Sequence, residues 1–333
     1  MPKSIVTGAA GFIGSHMVDL LLTQGHEVIA IDNLSRGSLD NLEHANKSDS
    51  FKFYKQDICL TNDNSELLKE FENTDYVFHF AGIGDIVPSI DKPSPYIYTN
   101  VFGTSVILEA ARSSKQLKKF VYAASSSCYG DHPPLPTNEH DDISPQYPYA
   151  LSKFLGECEV LHWGKVYDLP VNSVRIFNAY GTRSRTNKAY GAVIGVFIKQ
   201  HLENKPLTIV GDGEQKRDFI YVTDVAKGFL KVALKGSKNN IYNLGANNPQ
   251  SVNHLASIIG GEKVSLPSRP GEPLCTWSGN KQISELGWRP EISFEDGIKM
   301  VLENKDFWKD APLWDKESIE KETKSWFQYL KKD

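Results

Sequence analysis

No run of the sequence approaches the ~20 consecutive apolar residues that a membrane-spanning helix needs, so no membrane partner is expected. Paired cysteines are missing too. Cys59, Cys128, Cys158 and Cys275 stand far apart, without a C-x-x-C step. Such spacing offers neither a disulfide framework nor a zinc site, and it fits a reducing compartment. An excess of positive charge is also absent: 37 Lys and Arg face 41 Asp and Glu, for a formal net charge of -4. A nucleic-acid partner normally leaves a basic patch, and the scattered Lys-Lys pairs do not make one. The start, Met1-Pro2-Lys3-Ser4-Ile5, runs straight into a strand pattern with no apolar signal core. A cytoplasmic protein without metal is the expectation.

What remains is a chain of 333 residues, 40% hydrophobic, long enough for one or two cooperating domains. Its first half alternates β-branched runs with helical ones. Strand-like segments fall at Ser4–Thr7, Glu27–Asp32, Phe51–Asp57, Tyr76–Phe80, Phe120–Ser125 and Val171–Phe177. Helical patterns fall at Ile13–Leu22, Glu66–Phe71, Val101–Ala111 and Tyr149–Tyr167. This alternation predicts an α/β fold with a Rossmann-like, doubly wound parallel sheet, since each parallel crossover needs a covering helix. From Asn178 onward, Gly and Pro punctuate shorter elements, which predicts a smaller, mostly C-terminal domain. The expected division is 1–177, with a return contribution around 217–245, and 178–333. A charged helix is expected around Lys316–Lys331.

Strand Ser4–Thr7 leads into Gly8-Ala9-Ala10-Gly11-Phe12-Ile13-Gly14 and then a helix. Glycines at such a turn let a pyrophosphate approach, and the helix N-terminus offers amide donors. About twenty positions on, Asp32 ends the next strand, where a ribose diol would sit. A carboxylate there accepts from both hydroxyls and repels a 2′-phosphate, so the expected cofactor is NAD. Arg36 reads as a solvated loop charge. Asp57 is placed either to meet the adenine or to cap a helix. Phe80-Ala81-Gly82 brings small residues past the cofactor, and Phe12, Ile13, Asn33 and Ile58 complete the candidate contacts.

Tyr149-Ala150-Leu151-Ser152-Lys153 opens a helix after Pro148, and positions i and i+4 share a face. A phenol with a pKa near 10 is a poor base; a neighbouring Lys⁺ and the positive nicotinamide are expected to bring it down. Ser125-Ser126-Ser127 sits at the carboxyl end of the fifth strand, the edge where ligands of such sheets bind. Together these residues form a Ser/Tyr/Lys set downstream of the glycine turn.

The chain resembles the NAD-dependent epimerase/dehydratase family of extended short-chain dehydrogenases. The likeness rests on Thr7-Gly8-x-x-Gly11-x-x-Gly14, Ser125 before Tyr129-Gly130, Tyr149-x-x-x-Lys153, Arg175-x-x-Asn178-x-Tyr180-Gly181 and Gly211-Asp212-Gly213-x-x-x-Arg217-Asp218. It implies Tyr149 as base, Lys153 on the nicotinamide ribose and Ser125 on the reacting sugar hydroxyl. Asn100 either lies by the active centre or caps a helix. Asn178, Arg217 and Arg269 look like ligands of a nucleoside diphosphate, with loop salt bridges as the alternative for each Arg. Glu272 is a candidate for the nucleotide ribose and Ser89 for the sugar. The resemblance also implies a homodimer built through two helices per subunit. Its related dehydratases carry Asp and Glu where this chain has Ser126 and Ser127, which disfavours water loss. Its 4-epimerases often carry Lys where this chain has Gly84. The resulting expectation is a nucleotide-sugar 4-epimerase, with a UDP-sugar favoured over a GDP-sugar. A dehydrogenase or ketoreductase on the same scaffold and a non-catalytic NAD-binding protein are the alternatives.

Overall fold

In the computed structural model the described residues are 1–184, 192–268 and 272–330. Seven strands form the central sheet: β1 (Lys3–Thr7), β2 (Glu27–Asp32), β3 (Phe51–Lys55), β4 (Tyr76–His79), β5 (Lys119–Ser125), β6 (Val171–Ile176) and β7 (Asn240–Leu244). All pair in parallel, in the order β7-β6-β5-β4-β1-β2-β3. Strand β5 is buried along Phe120-Val121-Tyr122-Ala123-Ala124 without polar alternation, as a parallel sheet covered on both faces requires. One face packs on α1 (Phe12–Thr23) through Met17, Val18 and Leu21. The other carries α2 (Ser65–Glu72), α3 (Gly103–Arg112) and α4 (Pro148–Val166), through Phe71, Ile107 and Val160. The sheet order reverses at β1, between β2 and β4. That opens a crevice at the carboxyl ends of these strands.

The last strand of the sheet, β7, comes from far down the chain, and the helix Val222–Lys235 before it covers the α1 face through Val225 and Phe229. Much of the rest builds a third core, around Phe197, Phe219, Leu255, Phe294, Ile298 and Trp308. Its short strands pair in twos: Asn178–Tyr180 with Phe219–Tyr221, Leu207–Val210 with Lys263–Leu266, and Lys216–Arg217 with Gln250–Ser251.

Beyond shifts of a residue or two at element ends, three departures from the sequence pattern have a visible cause or consequence. Strand β3 stops at Lys55, because Asp57 turns to cap the short helix Ile58–Asp63. A π-helical turn, Tyr98–Phe102, precedes α3. The C-terminal helix is two helices, Lys316–Glu322 and Lys324–Leu330, with Lys331 outside the described residues. Thr323 lies at the break and turns its hydroxyl back onto the Ile319 carbonyl at 2.7 Å, a bond that competes with helix continuation.

His79 ties the layers together. Its Nδ1 lies 2.6 Å from Thr7 Oγ1 and its Nε2 3.0 Å from Thr104 Oγ1. Thr104 already donates its proton to the Asn100 carbonyl, so it accepts from Nε2–H, and Nδ1 accepts from Thr7. The ring is therefore neutral, and burial lowers its pKa from 6.5 to about 3. Because the folded value lies below the unfolded one, the unfolded chain takes up the proton first. Stability from this residue is present above pH 6.5 and is lost as pH falls from there toward about 3. His79→Gln should lose about 2 kcal/mol less than wild type on going from about pH 7 to about pH 5, measured by urea denaturation at each pH.

Candidate active site

The turn after β1 is shaped first by the protein itself. Gly8 has φ +66°, and a Cβ there would lie 2.7 Å from Ala81 N. A Cβ on Gly14 would lie 2.1 Å from the Gly8 carbonyl oxygen. Both glycines are demanded by backbone packing. Gly11 is different, for only the Gly8 oxygen, at 3.1 Å, comes near its missing Cβ. Helix α1 begins after Gly11 with no side-chain cap and no acidic residue in its first turn. The leading amides, those of Phe12, Ile13 and Gly14, thus lack acceptors in the helix. They and the helix dipole suit a pyrophosphate, so the residues present fit a dinucleotide.

Asp32 is buried at the end of β2, where its carboxylate accepts from Ala10 N at 3.0 Å and Leu34 N at 2.7 Å. Burial raises its pKa and the two amides oppose that. Arg36 is not a solvated charge: it forms an ion pair with Asp85, which locks two loops together. Asp57 caps the helix Ile58–Asp63, accepting from Cys59 N at 2.9 Å and from Asn33 Nδ2 at 2.8 Å. Ile58 is buried against Gly103, where a Cβ would meet its Cδ1 at 2.6 Å. Phe80 packs on Phe229 with ring centroids 4.6 Å apart. Ala81 N donates to Thr7 Oγ1 at 3.2 Å.

Gly82 leads to the catalytic set, since its missing Cβ would lie 2.9 Å from Asn100 Oδ1 and 3.6 Å from Lys153 Nζ. Asn100 caps no helix end. It lies within the π-helical turn, accepting from Ile83 N at 2.7 Å and donating to Ile83 O at 3.0 Å and Ser152 Oγ at 2.8 Å. It clamps the loop after β4 onto α4. Ser89 is buried and anchors the same helix, accepting from Tyr149 N at 3.1 Å while donating to Ile86 O. Gly84 has open space around it.

Tyr149 and Lys153 occupy the α4 face over β5. Burial raises the phenol's pKa, and the influence of the Ser125 hydroxyl opposes that. Lys153 Nζ sits 4.4 Å from the centre of the Tyr122 ring, and burial lowers its pKa to about 7, against a smaller pull from Glu157. Desolvation dominates both groups, and the ammonium itself is held only weakly charged. Ser125 Oγ lies 2.8 Å from Ser127 Oγ and accepts from Ser127 N at 3.2 Å.

On the side facing this set, Asn178 begins the strand Asn178–Tyr180, and its Oδ1 accepts from Thr276 Oγ1 at 2.7 Å. Arg217 and Glu272 meet each other: the guanidinium donates to the Glu272 carboxylate at 2.7 Å and to the Lys216 and Pro273 carbonyls. Arg269 lies outside the described residues. Two aromatic residues at the site went unread in the sequence, Tyr122 and Tyr147. The Tyr147-Pro148-Tyr149 triplet was the available signal for the second.

A family model described as the NAD dependent epimerase/dehydratase family matches residues 4–245. The UDP-glucose 4-epimerase of Mycolicibacterium smegmatis is 34% identical over 308 residues, covering 90% of this chain and 97% of that protein. The dTDP-D-glucose 4,6-dehydratase of Bos taurus is 34% identical, covering 93% and 91%. Among solved structures, the UDP-glucuronic acid 4-epimerase of Bacillus cereus, in complex with UDP-glucuronic acid and NAD, has a TM-score of 0.82 at 33% identity, covering 92% of this chain and 99% of its own. A cofactor cradle, a Ser/Tyr/Lys set and a fold shared along this length have one meaning: the chain belongs to the NAD dependent epimerase/dehydratase family.

Proposed function

We propose that the protein is a nucleotide-sugar 4-epimerase acting on a UDP-sugar. The observation that carries this reading is the hydroxyl and amine set Ser125, Tyr149 and Lys153 with only Ser126 and Ser127 beside it. Neither serine can give and take protons as a carboxyl does, so removal of water at the sugar lacks its acid and base. Relatives that are UDP-sugar 4-epimerases support the same side of the family.

When bound, NAD supplies a hydride acceptor and donor for C4 and a positive ring beside the phenol. Tyr149, ionised, takes the proton of the sugar 4-hydroxyl and later returns it. Ser125 orients that hydroxyl, and Lys153 holds the cofactor's ribose. The cofactor contacts come from 1–177 with help from 217–245, and the nucleotide contacts from 178–333. There Arg217 and Arg269 hold the diphosphate as guanidinium forks, with Asn178 beside them and Glu272 near the nucleotide ribose. Holding the diphosphate while the 4-keto sugar is gripped weakly lets the sugar turn and present its other face. Asp32 at the ribose makes NAD the cofactor rather than NADP.

Two copies associate in this reading. Leu151 and Leu155 of α4 and Tyr98 and Phe102 before α3 are exposed apolar side chains on neighbouring helices, a patch suited to burial against its own symmetry mate. The free cysteines, Cys59, Cys128, Cys158 and Cys275, agree with a cytoplasmic site of action.

Protein incubated with a panel of UDP- and GDP-sugars, without added NAD, should give a product of unchanged mass and altered chromatographic retention. A product two hydrogens lighter would make it a dehydrogenase, and one lighter by a water a dehydratase. Tyr149→Phe should slow that turnover by on the order of 10²–10⁴ while leaving the bound NAD in place. Arg217→Ala should weaken UDP binding by about 1.5–3 kcal/mol, the scale of hydrogen bonds to charged groups, as read by calorimetry. Leu155→Glu should convert a dimer into a monomer in light scattering; a wild-type monomer would remove the dimer from the proposal.

A further inference from the structure

Helix α4 starts in a way that leaves its reactive phenol dependent on other parts of the chain. Tyr147, extended before Pro148, is the N-cap and makes no side-chain cap. Pro148 has no N–H, so the first amide in need of an acceptor is that of Tyr149. The acceptor comes from outside the helix: the buried Ser89 hydroxyl, at 3.1 Å, which is itself held by donating to the Ile86 carbonyl at 2.6 Å. Ser89 belongs to the short helix Ile86–Asp91 after β4. Tyr149 thus stands on a turn fixed by a neighbouring helix, not by its own cap.

The C-terminal helix Lys324–Leu330 reaches this turn by two routes. It packs on Ile86–Asp91, with the Ser325 hydroxyl donating to Asp91. Trp326, the buried residue of the helix, faces Tyr147 with ring centroids 5.8 Å apart. Tyr147 in turn is stacked with Tyr149, centroids 6.4 Å apart at an interplanar angle of 8°. One route ends on the Tyr149 N–H and the other on its ring. Upstream, the same stretch of chain is anchored in the third core. Trp308 is buried there, and the carbonyls of Lys309 and Trp314 accept from the side chains of Lys199 and Gln200 at 2.6 Å each. Residues 305–330 therefore form a strap, fixed at one end beside the helix Val193–Leu202 and at the other on the turn that carries Tyr149.

We propose that this strap sets the place of the phenol, with Trp326 a positioning residue for Tyr149 that acts through the Tyr147 ring and through the helix bearing Ser89. A reacting group must be held within about 0.5 Å of its working place, by neighbours whose own side chains are locked by packing. Aromatic faces suit that task, since a flat ring constrains the tilt of its neighbour as well as its distance. An aliphatic side chain in the same space would limit the distance alone. The Trp326 side chain neither titrates nor carries charge, so its influence is on placement and not on the proton affinity of the phenol.

The inference rests on Tyr149 being the base, and the test keeps the two apart. It uses the full chain with its NAD, the nucleotide sugar that turns over in the panel above, and amide hydrogen exchange read by mass spectrometry in peptides spanning Tyr149. Trp326→Ala should speed exchange at the first turn of α4 by on the order of tenfold, while the central sheet exchanges as in wild type. It should lower kcat by on the order of 10–100-fold, the scale of an ångström's misplacement at a reacting group, with KM and the pH profile unchanged. Trp326→Phe keeps a flat ring and should restore most of kcat. Trp326→Leu keeps an apolar filling without the ring; it should behave as Trp326→Ala does, and it decides the matter if Trp326→Ala does not fold. Wild-type exchange and wild-type kcat in a folded Trp326→Ala or Trp326→Leu overturn the inference. So does faster exchange throughout the central sheet, or a rise in KM with kcat intact. Full turnover by Tyr149→Phe removes the base assignment instead and leaves the exchange result standing.

Discussion

One buried guanidinium organises the active half of the molecule. Arg175, on β6, is matched to Glu157 on α4 by contacts of 2.6, 3.0 and 3.2 Å, with both side chains almost wholly out of water. The same guanidinium donates to the Tyr129 hydroxyl and to the Glu139 carbonyl. Tyr129 then donates to Asn243 of β7, whose amide N–H is held by the Glu139 carboxylate. A buried pair of this kind adds little net stability, but removing one partner costs about 3–5 kcal/mol, because the other charge is left unsolvated. Its value lies in register. Tyr149, Lys153 and Glu157 follow one another at i+4 along α4, so fixing Glu157 to β6 fixes the phenol and the amine over the end of β5. Glu157 also sends the opposing charge that partly offsets the desolvation of Lys153.

Desolvation is the second constraint, and it explains what the sequence could and could not reveal. The parallel sheet, the glycine turn, Asp32 at the end of β2 and the Tyr149/Lys153 step are local patterns with fixed periods, and they stand where the pattern puts them. Arg36 was misread because its partner, Asp85, comes from a different loop. For Asp57 and Asn100 the capping reading turned on backbone geometry: a strand ending two residues early lets Asp57 cap a helix, and a π turn in place of a helix start leaves Asn100 capping none. The lowered pKa of Lys153 has no sequence signature at all. It follows from burial against Tyr122, a residue thirty-one positions away.

The same reasoning separates the family's two chemistries. Relatives at 34% identity include an epimerase and a dehydratase, so overall likeness does not choose between them. The resemblance to the dehydratases points to the two side chains after Ser125. In this chain they are serines, and the Ser127 hydroxyl is paired with that of Ser125 at 2.8 Å. A hydroxyl bound in this way orients a neighbour; it does not carry a proton to or from a sugar carbon.

The glycine turn has an implication for reading genomes. Gly8 and Gly14 are required because Ala81 and the Gly8 carbonyl leave no room for a methyl group, whether or not a nucleotide ever arrives. A descendant that had abandoned its cofactor would be obliged to keep both, since losing either would cost it the strand–helix junction. Two thirds of the fingerprint therefore records ancestry of the scaffold. Drift at Gly11, whose missing Cβ would press on the Gly8 carbonyl oxygen alone and less closely than at the other two, is where the loss of a ligand would first become visible.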